Sequence, residues 1–284
     1  GAPVERVKHY EKGLVLKETD AKSALKELRE FAEHTLKWQQ IPVREKKILF
    51  VGEEISFASR YRVEHFREQL HYQGYGSDFY QVDEVEDLDW DAYRAVVCYR
   101  CSREDVVCKV VEQAKKTGLN VYYDIDDLIF DYERISYLHF LTGSEYKDFK
   151  KTTEQIHSCM ELCDGYFTST DTLAGEIRRE FPGKPVVINR NCASMEMQIL
   201  SHDAVEQVEK DPEHIFIGYF SGSKTHDQDF EVAEEALLEV MKEHPEVRLK
   251  LVGVLSDRKM EKFGNKVEKL PFMDWKQLPS VMAG

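Results

Sequence analysis

Apolar runs of four to seven residues recur along this chain, and between most of them apolar side chains return every three or four positions. The run KKILFVGEE, residues 46–54, predicts a first strand, and RVEHFREQLHYQG after it predicts an amphipathic helix closed by Gly74. Short runs at 79–82, 95–99, 120–123, 165–169 and 185–189 predict further strands, with helical patterns at 103–117, 145–162 and 172–181. A second alternation begins with IFIGYF: a strand over 215–220, a helix over 230–244, a strand over 248–254, a weaker strand over 267–270 and a helix from 275 to 283. Strands alternating with helices predict parallel sheets covered on both faces.

The resulting fold class is α/β, with two tandem Rossmann-like domains. The first spans residues 45–192, a helical, polar and acidic connector covers 193–212, and the second occupies 213–284. The second offers about three strands where a whole Rossmann unit has ~5–6, so it is expected to be incomplete. Residues 1–44 form an expected helical extension, charged and carrying Leu25, Leu28 and Leu36, while Gly1-Ala2-Pro3 reads as a tag remnant.

A formal net charge of −14 over 284 residues excludes broad, sequence-independent nucleic-acid binding, which needs Lys and Arg to displace counterions. It leaves room for a local basic pocket. No apolar run approaches the ~20 residues of a membrane span, and no signal peptide is visible. Cys98 and Cys101 have C-x-x-C spacing, but Cys108, Cys159, Cys163 and Cys192 add neither a second C-x-x-C nor paired histidines, so no zinc set is completed. Reduced thiols in a cytosolic protein are expected, with Cys98 packed in a strand.

The chemistry gathers in loops that follow strands, where parallel α/β sheets bind ligands. Ser221-Gly222-Ser223-Lys224-Thr225 has the parts of a phosphate-binding turn: a glycine for close approach, hydroxyls and a lysine as donors, and the start of a helix. Residues 218–225 read G-x-x-x-x-S-K-T, one change from a P-loop, although Gly218 falls inside the strand and Ser223 replaces a glycine. The plainer alternative is a turn with Thr225 or Asp227 as helix cap. His226 adjoins the loop. After the first strand come Glu54, Ser56, Arg60 and Arg62. These arginines could draw a phosphate or carboxylate, or simply open the helix on a solvated face, and His65 is expected at the surface. Asp124-Ile125-Asp126-Asp127 has three readings: a Mg²⁺ or Mn²⁺ site; a D-x-D phosphohydrolase with Asp124 as nucleophile and Asp126 as acid; or caps for the next segment with one carboxylate in solvent. The D-x-D resembles haloacid-dehalogenase phosphatases, but Asp127 and Leu128 stand where that family carries a threonine. Asn189-Arg190-Asn191 ends the last strand of the first domain.

Three segments in order carry a family resemblance. YFSGSKTHDQDF with Leu251-Val-Gly253 downstream resembles the start of the donor domain of GT-B glycosyltransferases, in the family 4-like branch of bacterial surface-polysaccharide clusters. VYYDIDDLIF, residues 121–130, resembles a segment of their N-terminal domain, and LPFMDWKQLP, residues 270–279, the stretch before their donor-sugar site. The resemblance implies retaining sugar transfer from a nucleotide-diphosphate-sugar to a glycan or lipid-linked acceptor, without a metal or other cofactor. It implies that Gly222, Ser223, Lys224 and His226 face the donor phosphates and that Asp126 and Asp127 are catalytic. Glu54, Ser56, Arg60 and Arg62 would border the acceptor, with Arg190 and Asn191 in the interdomain cleft. The family's acidic donor motif would lie beyond Gly284, so the chain is expected to be inactive alone, and further domains of a parent polypeptide are compatible with the N-terminal helix. A catalytically silent nucleotide- or glycan-binding module is the non-enzymatic alternative. A cytoplasmic location is expected, with membrane contact if the acceptor is lipid-linked, although no basic amphipathic helix supports that contact.

Overall fold

The computed structural model describes residues 46–53, 57–85, 88–102, 104–131, 133, 143–222, 227–256 and 258–284; the helical extension expected over 1–44 lies outside them. Two compact units emerge, one of residues 46–133 with 147–191, the other of residues 192–284 with 143–146.

The first unit is built on six strands: β1 (Lys47–Gly52), β2 (Ser77–Gln81), β3 (Tyr93–Tyr99), β4 (Asn120–Asp124), β5 (Gly165–Thr168) and β6 (Val186–Ile188). They lie in the order β2-β1-β3-β4-β5-β6, and every pairing is parallel. The side chains alternate as a two-residue repeat requires. Leu49, Val51, Val96, Cys98, Val121 and Tyr123 enter one core, and Ile48, Phe50, Val97, Tyr99 and Tyr122 the other. Helix α1 covers the second of these faces. It is α-helical over Phe57–Ser59, π-helical over Arg60–Glu64 and α-helical again over His65–Tyr72. Its Phe66 ring meets Phe50 and Phe167 edge-on at 5.4 and 5.2 Å.

Helices α2 (Glu104–Lys116), α3 (Gly143–Leu162) and α4 (Asp171–Glu180) supply Val107, Val110, Ile156, Met160, Leu173 and Ile177 to the opposite core. Cys98, Cys101, Cys159 and Cys163 are buried there as free thiols. Hydrogen bonding to Cys101 and burial hold the Cys98 thiol well above its ordinary pKa, and hydrogen bonding to Cys98 and burial do the same for Cys163. These cysteines pack as small apolar groups.

The second unit holds β7 (Ile215–Ser221), β8 (Val247–Gly253) and β9 (Val267–Leu270) in one parallel sheet. Three further helices complete the described chain: α5 (Met195–Gln207), α6 (Asp227–Glu243) and α7 (Leu278–Ala283). Phe230, Leu238 and Met241 of α6 pack on Leu249 and Leu251. The predicted connector carries α5, capped by the Ser194 hydroxyl accepting from Met197 N, and α5 packs on α7. Pro279 in the first turn of α7 explains why that helix begins only at Leu278. Among the described residues no helix is long and apolar enough to cross a membrane.

Gly253 closes β8 at φ +98°, and a Cβ there would collide with the Ser221 carbonyl oxygen. That carbonyl also accepts from Val254 N at 3.2 Å, so neither strand end can back away. Gly253→Ala should cost at least about 2 kcal/mol, from the left-handed backbone plus the clash. Gly175→Ala, in open space on α4, should stabilise by about 0.5–1 kcal/mol. Urea denaturation of both variants tests this; equal and small effects would contradict the close approach at Gly253.

Candidate functional site

The order of the first sheet reverses direction between β1 and β3. At such a switch point the loops leaving adjacent strands part, and their carboxyl ends open a crevice. Glu53, just past β1, spans it: its carboxylate accepts from the Ser102 backbone N–H at 2.5 Å and from the Ser102 hydroxyl at 2.8 Å. Glu54 and Ser56, expected on the acceptor side, lie outside the described residues.

Arg62 is reassigned by the structure. Expected to meet a ligand or solvent, it is 0% exposed. It projects from the π-helical turn of α1, and such turns often mark functional sites. Its Nε and Nη2 donate to the two oxygens of Asp124 at 2.7 and 2.8 Å. Its Nη1 donates to the Asn189 carbonyl at 2.5 Å and to Asn191 Oδ1 at 3.0 Å. One guanidinium thus ties α1 to the carboxyl ends of β4 and β6. Burial pushes the Asp124 carboxyl up to about 6, with Arg62 pulling the other way. His65 also departs from expectation: only 4% exposed, it is drawn from solvent by an edge-on contact with Tyr61 one turn earlier, at 5.0 Å.

Asp126 and Asp127 converge on a residue that sequence reasoning misses. Arg100 donates through Nε at 3.0 Å and Nη2 at 2.6 Å to Asp126 Oδ1, and through Nη2 also to Asp127. Burial opposes its charge, but Asp126, then Tyr99 and Asp127, outweigh that and hold the guanidinium above its ordinary pKa. Among the described residues Arg100 is the one non-glycine with positive φ, at 46°. The sequence signal for it is its place directly after a strand, inside the C-x-x-C spacing that draws attention to the thiols instead. The Asp126 side chain is 11% exposed and that of Asp127 58%. The three aspartates therefore have three environments: buried, half-closed and open.

The remaining expected residues are distributed as follows. The Arg60 guanidinium stacks near Phe57 and Tyr61, 5.4 and 5.1 Å from the ring centroids. Arg190 pairs with Asp171 at the first position of α4, on the surface. Asn191 serves Arg62, as above. In the second unit, Gly222 is exposed directly after β7, while Ser223, Lys224 and His226 lie outside the described residues. Asp227, at the start of α6, accepts from Ser256 N at 3.1 Å and fixes that helix to the loop after β8. Among the described residues no group of three or more His, Cys, Asp or Glu side chains is arranged to hold a metal ion.

No protein-family model matches the chain, and no curated protein does. Among solved structures the chain is similar to Phytolacca americana UGT2 complexed with UDP-2fluoro-glucose and pterostilbene, at 10% identity and a TM-score of 0.43, over 84% of this chain and 79% of that one. A likeness of that degree carries no functional argument.

Arg62 keeps Asp124 ionised at neutral pH in spite of burial. Arg62→Met should cost about 3–5 kcal/mol at pH 8, the usual loss when one partner of a buried pair is removed. The raised Asp124 value fixes the sign of the pH dependence. Between about 4 and 6 the folded state holds more protons than the unfolded state, so this group's contribution to stability declines as pH rises. Without Arg62 that window extends upward, and the variant should recover part of its loss at pH 5. Urea denaturation at pH 8 and pH 5 measures both effects; a loss independent of pH would place the linkage elsewhere.

Proposed function

We propose that this chain is part of a GT-B glycosyltransferase that moves a sugar from a nucleotide-diphosphate-sugar to a glycan or lipid-linked acceptor. The observation that carries this reading is the second unit's strand–turn–helix. β7 ends at a buried Ser221 and an exposed Gly222, and α6 opens five residues later, beside a β8 end that only glycine can form. An anion at that turn would meet backbone N–H groups at a helix start, and Lys224 is the cation that the sequence supplies between Gly222 and Asp227. Such fixed donors stabilise the charge that develops on a departing diphosphate. Ser223 and His226 belong to the same stretch of sequence. In the first unit, Asp126 and Asp127 stand at the carboxyl edge of β4, where an acceptor hydroxyl would find a carboxylate.

The finer reading is a retaining, metal-independent enzyme of bacterial cell-surface polysaccharide synthesis, working in the cytoplasm, and its support is the order of the three sequence segments. The phosphohydrolase alternative fits the geometry poorly. Its nucleophile would be Asp124, which is 0% exposed with both oxygens engaged by Arg62.

Calorimetric titration of UDP, GDP and dTDP, with and without EDTA, tests the proposal. One nucleotide should bind selectively and resist the chelator, and Lys224→Ala should weaken it about tenfold or more, the loss expected for a charge-assisted phosphate contact. Failure of all three to bind, or binding only with Mg²⁺, would overturn the reading. A catalytically silent module would bind one nucleotide selectively yet show no turnover of its sugar conjugate even in a longer polypeptide that carries the expected acidic donor motif.

A further inference from the structure

A sheet edge is a row of unpaired N–H and C=O groups, and folded chains blunt it with short strands or charged side chains. Among the described strands, three of the four edges are treated in this way. β6 has three residues, β2 carries Asp78, held by Lys47 and the Tyr93 hydroxyl, and β9 carries Glu268 and Lys269. β7 is the exception. Its seven residues include no charge and no proline, and all of them pair in unbroken register with β8, so no bulge bends the strand away. Ile215 is 59% exposed and Phe220 36%.

The ladder also shows which backbone groups of β7 face outward. Ile215 N donates to the Glu246 carbonyl, and the Ser221 carbonyl accepts from Val254 N, so both of these residues turn towards β8. In a strand the direction alternates from one residue to the next. Phe216, Gly218 and Phe220 therefore turn their N–H and C=O groups to the other side, where no described strand lies. These three positions are symmetric about Gly218.

We propose that the β7 edge is a dimer interface, which takes β7 of a second copy of this chain, antiparallel about a twofold axis at Gly218. With Gly218 opposite the partner's Gly218, Phe216 lies opposite the partner's Phe220, and the reverse. All three outward positions then form hydrogen-bonded pairs, which use every outward N–H and C=O of both strands. A shift of two residues would leave one of the three on each strand opposite no outward-facing residue of β7. The side chains agree with this register: Phe216 meets Phe220 on one face and Ile217 meets Tyr219 on the other, both favourable cross-strand pairs. The Lys250 ammonium, 4.4 Å from the Phe216 ring centroid, would flank the aromatic pair. A single strand pair of this length is smaller than a standard interface, so the dimer dissociates on dilution. The inference goes beyond the glycosyltransferase reading and does not depend on it.

Sedimentation velocity on the full chain, across a dilution series, should show a reversible monomer–dimer equilibrium. Phe216→Glu and Phe220→Lys should each weaken it about tenfold or more, because a charge then faces a phenyl ring across the edge. An equimolar mixture of the two variants should recover the affinity to within about threefold, since one cross-strand pair becomes carboxylate with ammonium and the other stays phenyl with phenyl. Residue-resolved hydrogen exchange should show the Phe216, Gly218 and Phe220 amides slowing about tenfold or more from the dilute to the concentrated sample. The Ile217 and Tyr219 amides, directed at β8, should stay unchanged. Circular dichroism melts of each variant separate loss of the dimer from unfolding. A dimer that leaves the three outward amides unchanged, or a mixture that recovers nothing, would overturn the inference. So would a chain that stays monomeric throughout, which would leave the edge to a strand of a different polypeptide.

Discussion

The buried pair of Arg62 and Asp124 is the constraint on which the first unit's carboxyl edge depends. A guanidinium and a carboxylate taken wholly out of water cost several kcal/mol per ion, and their attraction offsets this only with good geometry and no wasted donors. Here Nε, Nη1 and Nη2 all have acceptors, drawn from β4 and from the chain just past β6. A pair of apolar residues could fill the volume as stably, yet it would not fix where three separate chain segments end. The pair therefore contributes position more than free energy, and position is what a site at strand ends needs.

Arg100 extends the same logic one residue pair further along β4. Because side chains alternate along a strand, Asp124 is directed to the α1 face, and Ile125 fills the opposite core. Asp126 and Asp127, beyond the last ladder bond, have no sheet to hold them. Arg100 does so instead, from the end of the neighbouring strand and in an unfavourable backbone conformation. Strain tolerated beside two ion pairs at a topological switch point is hard to explain by stability alone.

The architecture was legible in the sequence because burial on both faces leaves a strong mark. All nine predicted strands exist, and the 267–270 strand, the weakest signal, has the bounds Val267–Leu270. The site was legible only in part. The aspartate run announces itself as carboxylates at the end of an apolar strand, and Gly222 as a turn former directly after one. The partners do not, since Arg62 and Asp124 are 62 residues apart and Arg62 sits on a helix whose polar look suggests solvent. His65 misleads for the same reason: one polar residue on an amphipathic helix looks exposed until a neighbouring ring covers it. Arg100 is harder still, because a left-handed arginine has no compositional signature. Nor does periodicity reveal a π-helical turn, which changes the phase of a helix without changing its character.

The two units also differ in how they treat charge, and the difference follows from what each strand end is made of. In the first unit, the guanidiniums of Arg62 and Arg100 are neutralised within the chain, leaving a carboxylate as the open group. In the second, β7 ends at Ser221 and Gly222 without a carboxylate, and the next ionisable residue along the chain is Lys224. On the proposed reading the first arrangement would repel an anion and the second would hold one. A transfer that passes a sugar from an anionic leaving group to a neutral nucleophile, as proposed, would gain from just such a contrast. Strand ends alike in charge would place both reactants in competition for one surface.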